Sequence, residues 1–597
     1  MGIPAYFSYI LRSHHGVLQT TVPAHIDRLY MDCNSMLYDS FHNLSELPPV
    51  GGLSAPNLSV VHTEYVEGSS RSSPVGSSFH QMSKIEEDIE NDTVESRYNF
   101  LIDEVIRSIE SYVNLIRPRQ LVYIAFDGVA PKAKMNQQRQ RRYKSEFLSE
   151  RKGCEERKGC EERTKKNMWT TTMFTPGTQF MTMLTTRLKQ TFGGRSMYIV
   201  SASDEAGEGE HKMTQHVREN IVSEDTIAWY GLDSDLIMLA MLHCRPFREF
   251  YLFRETPEFA SVIVPAQGIK ATQKKPVPDI MYMNVHRLAM SVYMEIMQID
   301  SNKESSLEPE SDDKWRRVYD YVFLCFFLGN DFLPHFPALN LRTHGIQVLV
   351  DTYRAYIVPI RRFLVDVDTC TLQWKQIYIL VEALVAMEHE LILKEYVIRD
   401  KQERNTQQRV REELAGRRGN ATGSDAIDVF EQLPILLRGK EKYIAPQQVG
   451  WESRYYRALF GPETKDRNPS GISRNYVEAL EWVFTYYVAG CSDWQWYYRY
   501  EYPPLLCDMI RQIPSTSLNT ILSKGSSMPV SSIEQLQFVL PPSQHHLIPG
   551  HTSSYSATVG TTATVGTTDS GRTSAMDFEW AFCKYFWESH FQGRDVR

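Results

Sequence analysis

The chain lacks any apolar run long enough to cross a bilayer. Its longest apolar helical pattern, Trp374 to Val397, is broken by Lys375, Glu382, Glu388, His389 and Glu390, too much charge for hydrocarbon. No secretory leader pattern opens the chain, and the Met-Gly start has Tyr6 where a myristoylation signal needs Ser or Thr. These absences predict a soluble intracellular protein with no membrane partner, and leave cytosol and nucleus open. Cysteine is sparse: nine are scattered over 597 residues, with no framework for disulfides, which points to a reducing compartment. Cys154 and Cys160 lie in a tandem hexamer, Lys152-Gly153-Cys154-Glu155-Glu156-Arg157 and Lys158 to Arg163. With no histidine at ligand spacing, it reads as a local duplication on a helical segment rather than as a zinc site. Basic excess is missing too. A net charge of −8 excludes a broadly cationic nucleic-acid binder, but not one that focuses its field in a single pocket.

Carboxylates in telling positions are present. Asp32, Asp127, Glu208, Glu210, Asp233, Asp235 and Asp331 stand at or near the abrupt ends of apolar segments. Leu29-Tyr30-Met31-Asp32, Val122 to Asp127 and Ile227 to Asp233 are short apolar runs suited to strands buried on both faces, each ending in Asp. In an open α/β sheet, ligands bind beyond the carboxyl ends of the strands, so residues distant in sequence can converge there. Any one of these aspartates alone is best read as a helix cap or turn. As a set they would repel one another, and Mg²⁺ or Mn²⁺ relieves that repulsion because hard cations prefer oxygen ligands. Gly207-Glu208-Gly209-Glu210 opens a helical stretch, Met213 to Glu219. Its alternating glycines leave the backbone bare for close approach.

Lys132 to Lys144 carries six basic residues and no acidic one, directly behind Asp127. As a helix it places Lys134, Gln138, Arg141 and Arg142 at offsets of four, three and four, on one face. Such donors suit phosphate. The plain alternative is a solvated basic helix.

Together these stretches resemble the XRN 5′→3′ exoribonucleases. The resemblance rests on Met1-Gly2-Ile3-Pro4 with Phe7, Leu29 to Asn34, Asp127 to Arg142, Phe174 to Thr178, Gly207 to Lys212, Tyr230 to Leu239, Val322 to Pro334, Ser492 to Tyr502 and Phe538 to Pro542. It implies a Rossmann-like α/β fold of the PIN/5′-nuclease type, a mostly parallel sheet flanked by helices, with a largely helical second region packed on it. It implies that the seven carboxylates are catalytic and hold Mg²⁺ or Mn²⁺, two ions. It also implies that Lys134, Gln138, Arg141 and Arg142 receive a 5′-monophosphate, and that Trp496, favoured over Trp494, stacks on the terminal base. The family has His where this chain has Tyr38, which can still stack but not exchange protons as imidazole does, and Pro where it has Ala206. The expected partner is single-stranded RNA with a 5′-monophosphate, degraded to mononucleotides by a monomer, with no protein partner assigned. The rivals are a structure-specific 5′-nuclease on DNA and a non-catalytic RNA 5′-end binder.

The organisation follows. Residues 1–355 read as the nuclease core, with an inserted Ser/Gly/Pro-rich loop over about 44–80 and a polar, acidic gap at Ser301 to Asp313. Residues 356–425 read as a long helix, Trp374 to Ala415, and a linker from Gly419 to Asp425. Residues 426–597 form a second region walling the site. It includes a low-complexity loop at about 555–574, and Asp577 to Phe591 docks back.

Overall fold

Each apolar run that ends in aspartate is a strand. The structure, a computed structural model, describes residues 6–21, 23, 25–45, 94–156, 170–231, 233–255, 280–299, 312–416, 438–461, 468–514, 521–522, 527–550, 576–580 and 589–593. Met1 to Pro4, nearly all of the 44–80 insertion, residues 301–311, the Gly419 to Asp425 linker, Cys160 and the 555–574 repeat lie outside these residues.

The main sheet comprises β1 (Leu18–Gln19), β2 (Arg28–Asp32), β3 (Leu121–Ala125), β4 (Tyr198–Ser201), β5 (Thr226–Tyr230), β6 (Glu249–Glu255) and β7 (Ile280–Asn284), in the order β1-β7-β6-β5-β2-β3-β4. From β4 to β6 all neighbours are parallel, while β7 and β1 complete one edge antiparallel. The chain moves outward from β2 to β3 and β4, then returns to β5 on the other side of β2, which makes the β2/β5 boundary the switch point where such sheets bind ligands. The register levels the strand ends. Asp32 pairs with Ala125, Ala125 with Ser201, and Met31 with Tyr230, so the turns carrying Asp127, Glu208 and Asp233 leave the sheet along the same edge as Asp32.

Side-chain alternation splits β2 and β5 between two cores. Tyr30, Ile227 and Trp229 enter one, Leu29, Met31, Ala228 and Tyr230 the other. That is the pattern of a sheet covered on both faces, as continuous apolar runs predict. The first core includes the helices Ser234–His243 and Asp312–Cys325, and the second receives Val94–Ile116 and Gln179–Phe192. Among the described residues no helix is long and apolar enough to cross a membrane, and Cys33, Cys244, Cys325, Cys370, Cys491 and Cys507 are unbridged thiols.

The basic stretch is a helix, Lys132–Glu156, continuing through Cys154 of the hexamer. The expected long helix spans Trp374–Gly416. It is fastened by Arg438, whose buried guanidinium reaches Asp400 and Glu403 at 2.8 Å and Glu441 at 2.6 Å. The helix Pro469–Val488 starts with proline in its first turn and Asn468 as cap, the Asn468 side chain accepting from Gly471 N at 2.7 Å. It drives Tyr476, Leu480, Trp482, Val483, Tyr486 and Tyr487 into the first core. Ser532–Val539, opened by a capping box between Ser531 and Glu534, packs Leu536 and Val539 on Ala130 and Met135 beside the basic helix. The second region therefore rests directly on the element expected to bind phosphate. At the far end Met576–Trp580 pairs antiparallel with Ser589–Gly593, and the hairpin lies beside the basic helix.

Candidate active site

Asp32 ends β2, and its Oδ1 accepts from Asn34 Nδ2 at 2.8 Å. Asn34 Oδ1 in turn accepts from Asp127 N at 3.1 Å, and Asp127 Oδ1 accepts from Gly209 N at 2.8 Å. A single asparagine thus ties the ends of β2 and β3 together, and the glycine-rich turn closes on them. The glycines are required by space: a Cβ on Gly209 would stand 2.7 Å from Asp32 Oδ1, and one on Gly128 would collide with the Glu205 carbonyl at 1.7 Å. Gly207, at φ +112°, is held by paired backbone bonds, its N–H donating to Val129 O at 2.8 Å and its C=O accepting from Gly128 N at 2.9 Å.

Glu208 and Asp233 occupy helix N-cap positions, yet neither side chain caps its helix. Capping, the plain alternative for each, does not account for them. Glu208 Oε1 accepts from Tyr486 OH at 2.8 Å and its Oε2 meets Lys134 Nζ at 2.5 Å. Asp235, in the first turn of Ser234–His243, accepts from Tyr487 OH at 2.7 Å. Asp331 follows Gly329, whose φ of +80° and crowding against His335 N demand glycine. The Asn330 side chain accepts from Phe332 N and Leu333 N at 2.9 and 3.0 Å, turning the chain so that Asp331 Oδ2 reaches Lys134 Nζ at 2.8 Å.

Electrostatics bind the seven into one group. Burial, ahead of neighbouring Asp127 and Asp233, pushes Asp32 up to about 7. Burial likewise raises Glu208 despite Lys134, raises Asp235 with Asp331 adding to it, and raises Glu210 well above its usual range, with Asp235, Glu208 and Asp32 all contributing. Lys134 is the counter-charge. Burial disfavours its charged form, but Asp331, Glu208, Glu210 and Asp235 outweigh that and raise it well above its usual value. Among the described residues no three carboxylates close tightly enough on one point to cage an ion by themselves, and the Lys134 ammonium lies between Glu208 and Asp331.

The expected phosphate group is only partly together. Arg142 donates to Thr175 Oγ1 at 2.8 Å and to Gln138 Oε1 at 3.5 Å, joining the basic helix to the Phe174 to Thr178 turn. Arg141 is half-buried on the same helix. The Lys134 ammonium is instead engaged one turn earlier, with the carboxylates. Helical offsets fix where a Cβ points, but a four-carbon stem lets the charge follow the stronger local field.

Of the two expected stacking rings, Tyr38 sits edge-on to Phe174 with centroids 5.2 Å apart. Trp496 lies on Trp482, 5.3 Å between centroids and 22° between planes. It begins a column of near-parallel rings, since Trp482 stacks on Tyr486 at 4.9 Å and Tyr486 on His211 at 3.7 Å. Sequence reasoning missed Asn34, Thr175, Tyr486 and Tyr487. Asn34 and Thr175 stood inside motifs already singled out, whereas the tyrosines looked like ordinary core of an aromatic helix.

A mostly parallel sheet covered on both faces, with carboxylates at its switch point and a basic helix beside them, defines an α/β protein with its charged groups gathered at one edge. The comparisons specify it further. A family model described as the XRN 5′-3′ exonuclease N-terminus matches residues 76–256, and one described as the Xrn1 helical domain matches 312–430 and 441–556. The chain belongs to the XRN 5′-3′ exonuclease family. It is 27% identical over 523 residues to the 5′-3′ exoribonuclease 2 homolog of Drosophila melanogaster, covering 74% of this chain and 56% of that protein. It is 27% identical over 555 residues to 5′-3′ exoribonuclease 2 of Gallus gallus, covering 75% and 56%. To 5′-3′ exoribonuclease 1 of Homo sapiens it is 25% identical over 593 residues, 92% of this chain and 31% of that protein. The chain spans little more than half the length of the exoribonuclease 2 relatives.

Proposed function

We propose that this chain is a divalent-cation-dependent 5′→3′ exoribonuclease that releases mononucleotides from single-stranded RNA bearing a 5′-monophosphate. The observation that carries the reading is the junction of two sites on one helix. Lys134 of Lys132–Glu156 meets Glu208 and Asp331, while Arg142, two turns on, donates to Gln138 and to Thr175. A phosphate held by Gln138, Arg141 and Arg142 lies within a few helical turns of the carboxylates. The relatives' shared name, exoribonuclease, agrees with it.

An all-oxygen donor set fits a hard cation. Burial, with neighbouring carboxylates adding to it, raises Asp32, Glu208, Glu210 and Asp235, and a bound cation would relieve both causes. Asp32, Asp127, Glu208, Glu210, Asp233, Asp235 and Asp331 would hold two Mg²⁺ or Mn²⁺ ions. Bound divalent cations supply Lewis-acid stabilisation of a scissile phosphate and acidify water. The chain does the rest. Arg141, Arg142 and Gln138 grip the 5′ end and set which phosphodiester reaches the carboxylates. Trp496 and Tyr38 hold the terminal base through its π-faces, which tolerates every base. The second region walls the entrance, so a duplex is excluded.

Digestion of matched RNAs ending in 5′-phosphate, 5′-hydroxyl and 5′-triphosphate, with a DNA of the same sequence, tests the proposal. The 5′-phosphorylated RNA should be consumed to mononucleotides at least ten-fold faster than the others. Equal rates on all ends, or preference for DNA, would overturn it.

A further inference from the structure

Two consecutive tyrosines of the helix Pro469–Val488 reach back to carboxylates of the nuclease core. Tyr486 OH donates to Glu208 Oε1 at 2.8 Å, and Tyr487 OH donates to Asp235 Oδ1 at 2.7 Å. Consecutive helical residues diverge by about 100°, so one helix can serve both carboxylates only by lying across the pair. Both rings are fixed. Tyr486 is flat against His211 at 3.7 Å and Trp482 at 4.9 Å, and Tyr487 meets Phe326 edge-on at 5.0 Å.

A buried phenol needs an acceptor, and a backbone carbonyl is enough. Tyr476 uses Pro334 O at 2.7 Å and Tyr455 uses Pro503 O at 2.8 Å. Tyr486 and Tyr487 instead take carboxylates of one electrostatic group. Each engages a single oxygen of its partner, and on Glu208 the other oxygen is the one turned to Lys134 at 2.5 Å. A carboxylate held this way cannot rotate to offer either oxygen at will.

We propose that Tyr486 and Tyr487 are positioning residues, through which the second region sets the orientation of Glu208 and Asp235 for cation binding. The inference rests on reading those carboxylates as a divalent-metal site. Partners that orient metal ligands typically change metal affinity 10- to 100-fold when removed, about the size expected here.

The test uses the full chain with Tyr486→Phe and Tyr487→Phe, which keep the rings and delete only the hydroxyls, and Tyr455→Phe as a control for losing a buried phenol elsewhere. Mn²⁺ binding is titrated by electron paramagnetic resonance without RNA, and kcat and KM for 5′-phosphorylated RNA are measured across a Mg²⁺ series. Each Phe variant at the site should bind Mn²⁺ about ten-fold or more weakly. Its kcat should fall at low Mg²⁺ and recover at high Mg²⁺, with KM for RNA unchanged. Tyr455→Phe should bind Mn²⁺ as wild type does. The two site variants touch different carboxylates, so a folding failure in one leaves the other as a complete test. Wild-type protein that binds no Mn²⁺ would remove the metal reading itself. Tight wild-type binding with unaltered affinity in the Phe variants, or an equal loss in Tyr455→Phe, would overturn the positioning role alone.

Discussion

Replacing Lys134 with Met tests what compensates the carboxylates. Its ammonium stands 2.5 Å from Glu208 Oε2 and 2.8 Å from Asp331 Oδ2, and its side chain is only 12% exposed. Glu208 and Asp331 are themselves 2% and 3% exposed, so neither gains water when the lysine goes. Breaking a buried pair by removing one partner costs about 3–5 kcal/mol, because the remaining charge is left uncompensated. Here two carboxylates lose their shared counter-charge, which places the expected loss at the upper end. A divalent cation that binds the folded state alone returns about 2.7 kcal/mol at a hundred times its dissociation constant. Urea unfolding at pH 7.5 in EDTA should therefore show Lys134→Met destabilised by about 4–5 kcal/mol, and Mg²⁺ should restore the variant more than it stabilises wild type. A loss below about 1 kcal/mol, the range of an exposed pair, or a loss indifferent to Mg²⁺, would refute the reasoning.

Arg142→Ala removes charge-assisted contacts worth about 1.5–3 kcal/mol, so the preference for 5′-phosphate over 5′-hydroxyl RNA should narrow about ten-fold or more in competition digests; an unchanged preference would make that helix face a solvated surface. Ala at Tyr38 or at Trp496 should each weaken RNA binding by about 1–3 kcal/mol, with Tyr38→His retaining activity. A double mutant whose losses simply add would show that the two rings do not share one base. Glu501, half-buried with Gln140 Nε2 donating to it at 2.5 Å, is pushed up to about 7 by its partial loss of water. Its folded form therefore holds a proton that the unfolded chain releases near 4.5, and stability should fall as pH rises from about 4.5 to about 7, then level off. Glu501→Gln should flatten that slope in denaturation curves; an identical slope would acquit Glu501.

The sheet was legible because β2, β3 and β5 carry their burial in composition: uninterrupted apolar runs, each closed by a carboxylate, specify strands covered on both faces. The antiparallel strands β7 and β1 were not, since a strand's direction depends on partners that pattern cannot name. Glycine on either side of Glu208 signalled a bare backbone, and in the fold that room is taken by Asp32, whose Oδ1 would stand 2.7 Å from a Gly209 Cβ. The contact of Lys134 with Glu208 and Asp331 was not legible, since helical spacing locates a stem and not the charge at its end. Tyr486 and Tyr487 were invisible for another reason. Their partners lie 278 and 252 residues away, and an aromatic helix face reads the same whether its hydroxyls meet carbonyls or carboxylates.

In the proposed reaction one carboxylate site, working from a captured 5′ end, cuts RNA a nucleotide at a time. This reaction is tested most directly by following 5′-phosphorylated RNA labelled at both ends through a single turnover, with wild-type protein and with folded Asp235→Ala, in Mg²⁺ and in EDTA. Wild type in Mg²⁺ should release the 5′ label first, as a mononucleotide, while the 3′ label stays on shortening RNA. Asp235→Ala should bind the RNA yet release nothing, as should wild type in EDTA. Early release of the 3′ label, internal fragments as first products, or near-normal turnover by Asp235→Ala would contradict it.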